Sequence, residues 1–250
     1  MSRSIEIEKV IDAPVDEVWR AITEARALEQ WFPVEARVTP GPTGSIWLSW
    51  GEGSEGEARI FHWEPNARFG WGEDFGGSRL ATDFFLESRG AQTVVRVVTS
   101  GFSDDPQWDD DFHMMEGGWQ YFMAHLQTWL ERHRGMTRAL ATNRRQTELT
   151  KADAFARIIR GLGFGSPPSA HGPFDVTTAE GDRLTGAIIA INPGVQLGLV
   201  VENLNHAMLF VEMEGKKDRA KPALWLSTYG LDAADELAAR MRRVYDGALR

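Results

Sequence analysis

The sequence predicts an α+β protein in two parts, each an antiparallel sheet packed with helices, and three observations predict it. Strand-like segments recur through both halves of the 250 residues, separated by Gly/Pro/Asn/Asp turns. One long amphipathic pattern, Pro106 to Arg132, closes the first run of strands, and a shorter one beginning near Asp232 closes the second. Between the runs, Arg134 to Thr147 is polar, basic and poor in large apolar side chains. The expected organisation is residues 1–135 as a first domain, 136–148 as a linker and 149–250 as a smaller α+β domain of helix, five strands and helix.

In the first half, Ile5-Glu6-Ile7-Glu8 alternates with period two and reads as an opening strand, ended by Asp12-Ala13-Pro14. Val15, Val18, Trp19 and Ile22 then share one helical face within a helix over Asp16 to Thr23. A second helical turn, about Ala25 to Trp31, is stopped by Pro33, whose ring nitrogen has no N–H to donate. Ser45 to Trp50, Glu57 to Trp63, Arg68 to Trp71, Arg79 to Glu87 and Gln92 to Ser100 look extended, with Gly76-Gly77 among the turns between them. In the closing helix Phe112, Met115, Trp119, Phe122, Leu126 and Trp129 fall on one stripe, the face expected to lie on the sheet.

In the second half, Thr150 and Asp153 read as a cap pair for a helix with Phe155, Ile158, Ile159 and Leu162 on one side. Extended segments are expected around Phe174–Thr178, Arg183–Ile191, Gln196–Val201, Ala207–Met213 and Ala223–Tyr229. The last helix places Leu237, Met241, Val244 and Ala248 on one face. This order is that of the first half less its opening strand and one helix, as a reduced copy of one fold would be.

Residues 1–135 carry 12 Lys+Arg against 23 Asp+Glu, and the rest of the chain 15 against 13. An acidic first half argues against nucleic acid or an anionic membrane surface as its partner. The absence of cysteine excludes disulfides and thiolate chemistry. With no apolar leader pattern and no stretch able to span a bilayer, the expected location is cytoplasmic. Ten Trp and thirteen Phe against three Tyr mean much ring surface and few phenol hydroxyls, so the aromatic clusters are expected to be mostly dry. There is no histidine set for a metal, no phosphate loop and no Gly-x-Ser-x-Gly elbow, so neither a metal nor a cofactor is expected. The acidic run Asp104, Asp105, Asp109, Asp110 and Asp111 lacks the spacing of a calcium loop and reads as a helix start.

Ala13-Pro14, Val18-Trp19, Ala21-Ile22-Thr23 and Trp31-Phe32, in that order, resemble the opening of the SRPBCC or START-like superfamily. The match is closer to the branch of activator of Hsp90 ATPase homologue-like proteins. Gly56-Glu57-Ala58, Trp63-Glu64-Pro65-Asn66-Ala67-Arg68-Phe69 and Trp71 agree with it, as do Gly117-Gly118-Trp119, Leu126 and Trp129-Leu130-Glu131. The resemblance covers about residues 3–133. Gly194 to Gly198 and Leu226 to Gly230 resemble C-terminal extensions on some bacterial members, for which no activity is implied.

The resemblance implies a helix-grip (START/Bet v 1-like) fold, an antiparallel sheet curved around the long closing helix with an apolar cavity between. Members bind lipids, sterols, hormones and polyketides, and some are cyclases or hydrolases, so the fold is implied more firmly than the function. The expected wall of such a cavity is Trp31, Phe32, Trp47, Phe61, Trp71, Phe75, Phe84, Phe102, Met115, Gly118, Trp119 and Phe122. Rigid rings offer broad apolar surface at little entropic cost. The expectation is binding of a small hydrophobic or amphipathic molecule rather than catalysis. A cyclase or hydrolase on the same scaffold would use His113 or Glu116 as general acid or base, and needs one of them inside. Asp83 falls on the strand face opposite Phe84 and is expected to be exposed, and His62 and Glu64 share a strand–turn face. A chaperone-accessory role, suggested by the branch name alone, would need an exposed apolar patch. Pairing with a second copy stays open.

Overall fold

The computed structural model describes the backbone of residues 2–75, 78–216 and 218–250, and their side chains apart from residues 2, 74, 75, 78 and 79. The turn at 76–77 and the Phe75 side chain therefore lie outside what is described. The chain divides into two compact units, Met1–Gly135 and Met136–Arg250. Among the described residues no helix is long and apolar enough to cross a membrane.

The first unit opens with β1 (Ser2–Ile11), α1 (Val15–Thr23) and α2 (Ala25–Leu28). Six strands follow: β2 (Glu35–Thr39), β3 (Ser45–Ser49), β4 (Glu55–Glu64), β5 (Arg68–Phe75), β6 (Ser78–Arg89) and β7 (Gln92–Ser103). The unit closes with α3 (Asp109–Arg132). The strands form one antiparallel sheet in the order β1-β7-β6-β5-β4-β3-β2. Its alternation is read most simply in β7, where Val95, Val97 and Thr99 are buried and Arg96 and Val98 between them are more open. In α1 the apolar face buries Val18, Ala21 and Ile22, and Asp16 and Glu17 stand in the first turn, where the helix dipole favours negative charge. Asp109, Asp110 and Asp111 occupy the same position in α3. The α3 stripe is buried at Trp119, Leu126 and Trp129 and half-buried at Phe122; Met115, one turn before Trp119, is exposed.

The second unit begins with a strand that the sequence pattern did not show. Arg138–Arg144, read above as part of a linker, forms β8 and pairs antiparallel with the last strand, Arg138 opposite Tyr229 and Arg144 opposite Ala223. Backbone pairing needs no apolar side chains, and an unpaired strand edge leaves a row of amides and carbonyls unsatisfied. A segment with only Leu140 and two alanines for apolar content can therefore still complete a sheet. The unit continues with α4 (Lys151–Gly161), β9 (Gly172–Thr177), β10 (Arg183–Asn192), β11 (Gln196–Val201), β12 (Ala207–Lys216), β13 (Arg219–Tyr229) and α5 (Ala234–Ala248). Its sheet order is β8-β13-β12-β11-β10-β9.

With β8 in place, the two units share one topology. In each, the first strand pairs with the last, and the strands between run back as an antiparallel meander. The second unit has one meander strand and one helix fewer. Their interiors differ in chemistry. The second is mainly aliphatic: Ile158 and Ile159 of α4 and Leu237, Met241 and Val244 of α5 pack with Leu197, Leu209, Val211 and Leu224 of the sheet. The interior of the first adds to aliphatic side chains such as Ile22, Ile46 and Val97 a cluster of large rings.

Candidate functional site

The ring cluster of the first unit starts at the end of α2, where Trp31 and Phe32 stand directly before Pro33. The Trp31 indole N–H donates to the Ala21 carbonyl at 2.9 Å, which fixes its ring against α1. Phe32 stacks on Trp31 with centroids 5.1 Å apart and on Trp119 of α3 at 5.2 Å, so three rings lie nearly parallel in series. Phe84 of β6 meets Trp119 edge-to-face at 5.5 Å and stacks on Trp71 of β5 at 5.7 Å. Phe122, one turn beyond Gly118 on α3, meets Phe32 at 4.8 Å. Trp31, Phe84 and Trp119 are at most 3% exposed, whereas Phe122 is only half-buried.

Six of the twelve expected wall residues thus come together: Trp31, Phe32, Trp71, Phe84, Trp119 and Phe122. Two further members were missed. Trp50 meets Phe32 at 5.2 Å, and Phe69 meets Trp71 at 5.0 Å. The period-two rule, carried from Leu48 on to Trp50 and from Trp71 back to Phe69, contains the signal for both.

The other expectations are corrected. Trp47 alternates with the buried Ile46 and Leu48, so it faces the opposite side of the sheet, where the Arg37 guanidinium sits 4.4 Å from its ring. Phe61 lies at a bulge between Ile60 and His62, which puts it on that opposite face beside His62. Phe102 is buried in a separate ring group with Trp108 and Phe112. Met115 is 36% exposed. Gly118 is half-buried, and an added Cβ would meet nothing nearer than the Phe122 ring at 4.0 Å, so close packing does not require the glycine. His113 and Glu116 pair with each other at 3.5 Å on the surface, their side chains 58% and 44% exposed. Neither enters the interior, which removes the acid–base role considered for them.

Asp83 is not exposed as expected. It is half-buried on the outer face of the sheet, accepting from Arg68 Nε at 2.9 Å and lying 3.0 Å from His62 Nδ1. Gly70 is opposite both His62 and Asp83 in the strand ladders, and its lack of a side chain lets them meet across β5. A Cβ there would stand 2.4 Å from Asp83 Oδ1. Gly70→Ala is expected to part the pair and cost about 1 kcal/mol. Urea denaturation checks it; an unchanged midpoint would show that the contact carries nothing.

Two polar features lie on the ring-bearing face. Thr82 and Thr99 hydroxyls are buried 3.0 Å apart. A mutual bond uses one of their two hydrogens and leaves the other free to turn. The second feature is Trp119 Nε1, buried with no hydrogen-bond acceptor among the described residues.

Residues 12–131 match the family model described as activator of Hsp90 ATPase homolog 1-like protein. The first unit belongs to this family. As in the sequence resemblance, the match to the Hsp90 activator homologue-like family is confined to the first unit. Solved structures similar to the chain include protein MLL2253 from Mesorhizobium loti, 24% identical over 52% of this chain and 98% of that one, with a TM-score of 0.47. The Aha1 dimer from Colwellia psychrerythraea is 20% identical, over 53% of this chain and 99% of that one, at 0.47. The di-domain ARO/CYC BexL is 17% identical, over 99% of this chain and 93% of that one, at 0.45. No curated protein matches the chain.

Proposed function

We propose that the first unit binds a small apolar or amphipathic molecule against its ring cluster. One observation carries this reading: the rings form a continuous series from the enclosed Trp31 and Phe84 through Phe32 to Trp50 and Phe122, which keep part of their surface open. A cluster that served the core alone would have no need to run out to half-exposed rings, and ligand sites are mostly apolar with few polar groups. The family resemblance points the same way. No observation favours an acid–base enzyme, since His113 and Glu116 are on the surface. The exposed large apolar side chains among the described residues are Val10, Met115 and Met136, too few to favour a chaperone-docking face.

The test is a thermal-shift and tryptophan-emission titration of the full chain with polycyclic aromatics, fatty acids and sterols. A ligand held at 100 times its Kd stabilises the folded state by about 2.7 kcal/mol, a shift of several degrees for a domain of this size. At least one class is expected to give that shift and to change the indole emission. The absence of a shift with every class would overturn the reading.

A further inference from the structure

We propose that Trp119 is the specificity-determining residue of this site: its indole N–H selects flat ligands carrying an uncharged oxygen acceptor, such as an aromatic ketone, over the equivalent hydrocarbon. The inference rests on the binding reading above and adds the chemistry of the ligand. Trp119 is 3% exposed, stacked on Phe32 and edge-on to Phe84, and its Nε1 is a donor enclosed without an acceptor among the described residues. Enclosing a donor without a partner is costly, and a ligand oxygen that accepts from it recovers that cost. A hydrocarbon of the same shape does not. The asymmetry makes one N–H a filter.

The charge of the oxygen follows from the same surroundings. The buried residues of the first unit include no lysine, arginine, aspartate or glutamate among the described residues. A carboxylate beside Trp119 would be a buried charge with no counter-ion, which one N–H cannot offset. Of the two buried histidines, His125 is six residues on and so about 120° round α3 from Trp119, and His133 is about 21 Å further along the chain direction. Neither is placed to neutralise an anion at Nε1. The nearly parallel series Trp31, Phe32 and Trp119 suits a ligand that is itself planar.

The experiment compares three probes of one shape: 2-acetylnaphthalene, 2-ethylnaphthalene and 2-naphthoate. Affinities are measured by calorimetry for the native chain and for Trp119→Phe, which keeps a ring in the cluster and removes the donor. In the native chain the ketone is expected to bind about tenfold tighter than the hydrocarbon, and the naphthoate weakest. In Trp119→Phe the ketone-to-hydrocarbon ratio falls to about one while hydrocarbon affinity stays within about twofold, a split that general loss of packing would not produce. The Trp119 indole N–H signal in the native protein is expected to move with the ketone and stay with the hydrocarbon. That readout stands even where the variant does not fold. Equal ratios in both proteins, or an indole signal indifferent to the ketone, would overturn the role of Trp119. Naphthoate binding as tightly as the ketone would overturn the neutral-oxygen filter. Failure of all three probes would count instead against a planar aromatic ligand, and a positive fatty-acid or sterol shift in the titration above would then leave the binding reading standing without this filter.

Discussion

Replacing Trp31 with alanine is expected to destabilise the first unit by about 4 kcal/mol, the cost typical of removing a large buried ring. The side chain is fully enclosed, its N–H is satisfied by the Ala21 carbonyl, and its face supports Phe32, from which the rest of the cluster extends. Trp31→Phe, which keeps most of the ring surface and loses the hydrogen bond, is expected to cost less, about 2 kcal/mol. Nine of the ten tryptophans lie in the first unit, Trp225 being the exception, so indole emission followed through urea denaturation reports on that unit. A Trp31→Ala cost below about 1 kcal/mol would mean that the cluster collapses around the gap and that Trp31 is not its anchor.

Glu212→Gln is expected to stabilise the second unit at alkaline pH and leave it nearly unchanged at pH 5. Burial first, and then the neighbouring Glu214, push the Glu212 carboxyl up to about 7; hydrogen bonds from Trp225 and Gln196 and the Arg144 charge pull the other way without cancelling the rise. Trp225 Nε1 donates to Glu212 at 2.9 Å, and Arg144 forms an ion pair with Glu214. Because the folded value lies above that of the unfolded chain, the folded state holds a proton between about pH 4.5 and 7 that the unfolded state has released. The stabilisation linked to that proton is complete below the unfolded value and is lost as pH rises through 7. The full shift would correspond to roughly 3 kcal/mol, and the part of Glu212 that remains open to water trims this to about 2 kcal/mol. Glutamine keeps an oxygen for Trp225 and has nothing to ionise. Urea midpoints of the native chain are expected to fall between pH 5 and 8, and those of Glu212→Gln to stay flatter. Parallel profiles would show that Glu212 titrates as an ordinary carboxyl.

Apart from the strand Glu35–Thr39, which the pattern did not mark, the sequence alone determined the element order of the first unit, its family, the amphipathic closing helix and the wealth of rings in its interior. These properties follow from local periodicity and composition, which each segment carries within itself. Among the expected wall residues, Trp31, Phe32, Trp71, Phe84, Trp119 and Phe122 do meet in one ring cluster: Trp71, Phe84, Trp119 and Phe122 from the inward faces of their own strands and helix, Trp31 and Phe32 from the turn that follows α2. Only the tertiary structure decided which other rings join them. A one-residue bulge turned Phe61 to the outer face, and the strand alternation set by Ile46 and Leu48 did the same to Trp47. The strand Arg138–Arg144 was illegible because what holds it is the open edge of β13, nearly eighty residues later in the chain. The meeting of His62 with Asp83 across Gly70, and the enclosure of the Trp119 N–H without an acceptor, were illegible for the same reason. Whether a polar group finds a partner depends on atoms brought together from distant segments, and no single segment encodes that.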